Sequence, residues 1–229
     1  MHCAWNQFAE RGNRMNHSVK AMRVVRGMSH SLCVFLLVLT CGALSAQNEE
    51  HRVRNIVLPC ILAAHSYGGA VITEAGTDPL VAGLVYVAAH MPDAGENEAD
   101  DGKRFPSDLS KSGAIKKTAD GFTYLDPAHF HEYFAADLSA EQAAFMARSQ
   151  VLNFVDNFKA VITTAAWRSK PSWMLVAGAD RTINPDLERW YATRAKSHTV
   201  EVAGASHAVY VSRPKEVAAL IEEAASHVR

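Results

Sequence analysis

Apolar positions along this chain come in short runs bounded by turn-forming residues, with stretches of helical spacing between them. The run from Ile56 to Ala63 has the length of a buried strand, and Pro59 is tolerable there only at its start or on a sheet edge. A turn at Ser66 and helix-compatible residues Tyr67 to Ala75 follow, stopped by Gly76-Thr77-Asp78-Pro79. Leu80 to Ala89, rich in Val and Leu, reads as a second buried strand. Residues 90–105 are polar and acidic and read as a loop leading out of the sheet. Residues 106–166 carry helical patches, Ser139 to Gln150 among them, flanked by Phe122, Phe130, Tyr133 and Phe134, and read as a mostly helical cap insertion. The alternation then resumes, with strand at Ser172 to Ala177, helix at Pro185 to Lys196, strand at His198 to Val202 and an amphipathic helix at Lys215 to His227. This order predicts an α/β fold: a parallel sheet with helices on both faces.

The first 46 residues read differently. Arg23 and Arg26 precede the apolar run Leu32 to Leu39, which gives way to small residues around Ser45 and Ala46. That order suits a secretory signal and is too short to span a bilayer comfortably. Met22 would give such a signal a more typical start than Met1. A signal implies a secreted or periplasmic protein; the alternative, a buried helix or strand of the core, implies a cytoplasmic one. A lipid anchor on Cys41 is disfavoured by bulky Thr40 before it. The domain proper is expected over residues 47–229.

Composition narrows the function classes. The 229 residues are 48% hydrophobic and 21% charged, enough for a sizeable core and against wholesale disorder. Lys plus Arg number 23 against 24 for Asp plus Glu, with no basic stripe to attract a phosphate backbone, so nucleic acid is not an expected partner. The cysteines at 3, 33, 41 and 60 lack the close pairing of a zinc or redox motif.

The sharpest local feature is Ala64-His65-Ser66-Tyr67-Gly68-Gly69, between a strand and a helix. Small residues on both sides let the backbone turn sharply and project the serine hydroxyl above the sheet, as in a nucleophile elbow. The motif is a near match to G-x-S-x-G, with Ala64 in place of the first glycine, and a serine capping a helix would look similar. Asp180 follows the third strand and His207 the last one; alone, each would pass for a turn or surface residue. Their joint order, Ser66 then Asp180 then His207 at three strand ends, is that of a catalytic triad. His65 is expected to pack the elbow or bond nearby backbone. His129-Phe130-His131-Glu132 lacks a further ligand at recognisable spacing and reads as a solvated or locally bonded pair, so no metal is assigned. Asp126, Asp137 and Asp186 read as turn or cap residues.

The stretch from Ile61 to Arg229 resembles the α/β-hydrolase superfamily, in particular bacterial single-domain hydrolases related to the plant methylesterase and hydroxynitrile lyase group. The matching pieces are His65 to Ile72, Gly83 to Ala89, Pro92 to Glu96, Pro171-Ser172-Trp173, Ile183 to Asp186 and Ser206 to Tyr210. The resemblance implies Ser66 as nucleophile, His207 as general base, Asp180 as its orienting acid and the Tyr67 N–H as an oxyanion donor. It also implies a small-molecule ester substrate and no cofactor. The chain departs from the pattern upstream, where about 20 residues separate the signal-like end from Ser66, too few for further strands at ~10 or more residues per crossover. The amino-terminal part of the fold, with the loop that supplies the second oxyanion donor, is therefore expected to be missing unless residues 47–60 or a second chain replace it. The elbow strand would become an edge open to self-association. Two rivals follow: a catalytically weak or silent remnant serving as a binding protein, and a lyase acting on a hydroxynitrile.

Overall fold

In a computed structural model of the chain, the residues described are Leu37–Val38 and 59–227. Pro59, which cannot donate to a ladder, stands just before the first long strand rather than in it. In chain order the sheet elements are β1 (Leu37–Val38), β2 (Cys60–Ser66), then helix α1 (Gly68–Ala75) and β3 (Val81–Ala89). Strand β2 runs parallel to β3, and β1 lies antiparallel on the other edge of β2, Leu37 opposite Ala63 and Val38 opposite Leu62. The edge of β2 that the sequence left bare thus carries a two-residue strand from within the apolar run 32–39. The rest of the signal-like segment lies outside the described residues.

After β3 the chain leaves the sheet through α2 (Glu98–Arg104) and α3 (Asp108–Ser112). Helix α2 corrects the loop expected over 90–105. The Asn97 side chain caps it by accepting from the Asp100 N–H, with Glu98, Asp100 and Asp101 in its first turn and Lys103 and Arg104 in its last. The acidic run therefore sits where the helix dipole favours negative charge. The cap is also less helical than expected. Strands β4 (Ile115–Lys117) and β5 (Phe122–Leu125) form a hairpin closed at Thr118 and Gly121, whose φ of 93° suits glycine. Helices α4 (Pro127–Phe134) and α5 (Ala140–Arg148) follow, and β6 (Asn153–Phe154) completes a small antiparallel sheet in the order β4-β5-β6.

The chain returns through β7 (Ser172–Ala177), α6 (Pro185–Ala195), β8 (His198–Val202), α7 (Val209–Ser212) and α8 (Pro214–His227). Strand β7 is parallel to β3, and β8 to β7, giving the order β1-β2-β3-β7-β8. Alternate residues of each strand face opposite sides. Leu62, Leu84, Tyr86, Met174 and Val176 share one core with Ile72 of α1 and Leu187 and Tyr191 of α6. Ile61, Val85, Val87, Trp173 and Leu175 share the other with Val209, Leu220 and Ile221 of α7 and α8. A third cluster holds the cap around Phe130, Leu109 and Leu125, and it includes Ala208 from the loop after β8. Among the described residues no helix is long and apolar enough to cross a membrane.

Candidate active site

Strands β2, β7 and β8, all pointing the same way, end on one side of the sheet, and each delivers one polar residue there. Ser66 is the last residue of β2 and has a φ of 56°. A non-glycine residue in that region is strained, and here the strain turns the chain from strand into α1 within one residue. Tyr67 is the N-cap of α1, so its amide sits at the helix N-terminus, where N–H groups lack intrahelical partners. A Cβ on Gly69 would run into the His90 carbonyl oxygen at the end of β3, so only glycine allows α1 to start this close to the sheet.

Asp180 follows β7 in a tight loop. Its Oδ1 accepts from the Thr182 N–H (2.7 Å) and the Ile183 N–H (2.9 Å), and its Oδ2 accepts from His207 Nδ1–H at 2.5 Å. A carboxylate can only accept, so the proton of a neutral His207 ring lies on Nδ1 and Nε2 is left as an acceptor. Ser66 Oγ, 2.9 Å from that Nε2, donates to it. His207 is fully buried and Asp180 is 5% exposed, so water does not compete for the pair. The residues expected as a triad are thus brought into one hydrogen-bonded line. A serine hydroxyl on an unprotonated imidazole can lose its proton as it attacks, and the buried carboxylate favours the imidazolium that results.

Neighbouring groups fix this line. His65 donates from Nε2–H to the His207 carbonyl oxygen (2.8 Å), its ring 4.4 Å from the His207 ring and 4.6 Å from Tyr210. Burial, and then the repulsion it would feel from a protonated His207, push its imidazole well below its ordinary range, so His65 is a neutral donor that bonds nearby backbone, as its place beside the elbow suggested. Phe134 of the cap stands edge-on to the His207 ring at 4.7 Å and stacks on Phe130. The Phe134 carbonyl accepts from the Ala208 N–H (2.9 Å), and the Tyr133 carbonyl from the Thr182 hydroxyl (2.9 Å). Asp137, expected as a turn or cap residue, lies in the turn after α4 and also accepts from the Ser206 hydroxyl just before His207, with Arg213 3.7 Å away.

Sequence reasoning also passed over Glu188, fully buried on α6. One of its oxygens accepts from the Ala177 N–H at 3.0 Å, and burial followed by the nearby Asp180 charge pushes its carboxyl well above the ordinary range. Asp126 caps α4, and Asp186 sits in the first turn of α6, both as expected. His129 and Glu132 are exposed and 3.7 Å apart, and the exposed His131 bonds the Leu138 carbonyl, the local bonding expected of that segment. Tyr67 sets its ring edge-on to Phe158 and its hydroxyl toward the Asn157 carbonyl (3.4 Å); burial pushes the phenol up to about 12. Residues 47–58, which with 59 and 60 were weighed as a source of the second oxyanion donor, lie outside the described residues.

Comparison with known proteins agrees with this architecture. Residues 38–220 match the alpha/beta hydrolase family. The chain is 27% identical over 177 residues to Esterase PIR7B of rice (Oryza sativa subsp. japonica), covering 69% of this chain and 66% of the rice protein. Among solved structures it superposes on polyneuridine aldehyde esterase with a TM-score of 0.59 at 19% identity, over 72% of this chain and 71% of that one. The methylesterase MES16 from Arabidopsis gives 0.60 at 16% identity, over 75% and 71%. At such identities the superpositions speak for the fold alone. With most of its length matched and a sheet of the same kind, the chain belongs to the alpha/beta hydrolase family.

Proposed function

We propose that the protein is a serine hydrolase that cleaves a small carboxylic ester through an acyl-enzyme on Ser66. The observation that carries this reading is the unbroken line from Asp180 through His207 to the hydroxyl of a backbone-strained Ser66. An ester as substrate draws on the rice relative, an esterase by name. As Ser66 Oγ attacks the ester carbonyl carbon, its proton passes to His207 Nε2, and the carbonyl oxygen gains a negative charge to which the Tyr67 N–H donates a hydrogen bond. The intermediate collapses by breaking the bond to the alkoxy oxygen, which takes the proton from His207 and leaves as the alcohol. Water then gives a proton to His207 and attacks the acyl carbon. Release of the acid restores the Ser66 hydroxyl with that same proton. Asp180 keeps the imidazole in the productive tautomer throughout.

The test is covalent labelling of the purified chain with a fluorophosphonate, located by mass spectrometry, alongside hydrolysis of p-nitrophenyl acetate. The expected result is one label on Ser66, lost in Ser66→Ala and lost or greatly slowed in His207→Ala, with hydrolysis falling in step. Folded protein that takes no label, or takes it equally in both variants, would refute the reading.

A further inference from the structure

The elbow is strained on both sides of the β2–β3 pair. Ser66 has a φ of 56°, and Ala88, the extra residue where the register slips between Val87 and Ala89, has a φ of 41°. Strain of this kind persists only where the surroundings over-determine the backbone. Just beyond both lies His90. Its N–H donates to the Ser66 carbonyl (3.1 Å), and its own carbonyl lies against Gly69 in the first turn of α1. One residue therefore touches the chain at Ser66 itself and again three residues later at Gly69.

The His90 side chain is itself anchored. Tyr191, fully buried on α6, donates its hydroxyl proton to Asp101 Oδ2 (2.8 Å). The phenolic oxygen is then an acceptor, so His90 donates to it from Nδ1–H over 3.4 Å. Nε2 is left unprotonated, facing the Glu98 carboxyl at 3.6 Å. The tautomer fits the electrostatics. Burial, then the repulsion that a protonated His207 would add, push His90 down to about 3, and burial, then the Asp101 charge, push Glu98 well above its ordinary value. His90 is therefore neutral near pH 7, and the same burial that keeps it so disfavours the charge on Glu98 beside it. The chain Glu98–His90–Tyr191–Asp101 ends at Arg104, 3.8 Å from Asp101. It thus ties the end of β3 to both α2 and α6.

We infer that His90 is a positioning residue for the nucleophile: anchored by Tyr191 and enclosed beside Glu98, it sets the backbone that holds Ser66 Oγ at its distance from His207. This rests on the proposed role of Ser66, and the experiment separates the two. Fluorophosphonate capture is measured per folded molecule in the wild type, His90→Ala, His90→Asn and Tyr191→Phe, and resolved into the inactivation rate constant and the reversible binding constant, with Tm recorded beside it. A nucleophile displaced by a fraction of an ångström loses rate without losing binding, so His90→Ala is expected to lower the inactivation rate constant and kcat about tenfold to a hundredfold with KM unchanged. His90→Asn, which keeps a side-chain N–H, is expected to recover part of the rate, and Tyr191→Phe to lose less than His90→Ala. A merely structural His90 would lower Tm and leave the rate of the folded fraction alone, which would overturn the inference. Should His90→Ala fail to fold, a wild-type rate in Tyr191→Phe would overturn it equally. A wild type that takes no label on Ser66 would remove the proposed function itself, and this inference with it.

Discussion

Ser66 is held by its own backbone, whereas Asp180 and His207 are held by hydrogen bonds to side chains and by the cap. On the elbow side the determinants are a φ of 56°, the close approach of Gly69 to the His90 carbonyl and a parallel ladder on β3. On the acid–base side they are two N–H groups on Asp180 Oδ1, the Asp137–Ser206 bond, the Phe134 carbonyl on Ala208 and the Phe134 ring on His207. The nucleophile depends on backbone geometry, on which side chains such as that of His90 act only indirectly. The base depends on contacts that single side-chain changes can remove one at a time. Substitutions on the elbow side should therefore affect folding and rate together, while those on the acid–base side should separate the two.

The largest effect is expected from Asp180→Asn, which keeps the loop bonds but can favour the wrong His207 tautomer; kcat should fall about 10⁴-fold at nearly unchanged Tm. Steady-state kinetics with p-nitrophenyl acetate checks it, and a fall below tenfold would remove Asp180 from the orienting role. Gly69→Ala comes next. A methyl group forced against backbone should cost about 1–3 kcal/mol in denaturant unfolding and slow Ser66 labelling in the same variant. Ser206→Ala removes the donor to Asp137, a half-buried carboxylate, and should cost about 1–3 kcal/mol. It should also lower kcat only a few-fold, because Phe134 still holds His207.

The smallest effect is the most diagnostic of electrostatics. The Glu188 carboxyl is raised well above its ordinary value of 4.5 in the folded state. Stability linked to it is therefore full below about 4.5 and is lost as pH rises toward the folded value. Glu188→Gln should give a higher Tm than wild type at pH 8, and the difference should close by pH 4, as thermal unfolding across that range would show. His65 contributes with the opposite sign: its folded value is depressed, so the stability linked to it is present above its ordinary 6.5 and lost as pH falls. His65→Gln should flatten the acid limb of the same curve.

Much of this was legible in the sequence because it is local. The runs Ser172–Ala177 and His198–Val202 are strands over the residues that their patterning marks. Small residues around Ser66, with a strand before and a helix after, specify the elbow without reference to anything distant. Order along the chain sufficed for Asp180 and His207, since parallel strands deliver their carboxyl ends to one side. What escaped is either too short or too distant. Strands of three, four and two residues in the cap carry no usable alternation, and the acids of α2 resemble a solvated loop until Asn97 is seen to cap them. Asp137 lies 69 residues from Ser206, and His90 is 101 from Tyr191. Their roles exist only once the chain is folded, and nothing in their neighbours along the sequence distinguishes them from ordinary turn residues.

The positive φ at Ser66 also bears on how this protein would respond to selection. Glycine adopts that conformation without the steric cost that serine carries, so Ser66→Gly should yield a molecule more heat-resistant than its parent and without a nucleophile. A screen for thermal tolerance alone would enrich that variant, and only a screen that also reads turnover would keep the serine. A residue whose backbone is unfavourable to the fold is thus one that a laboratory lineage would discard if function were left out of the selection.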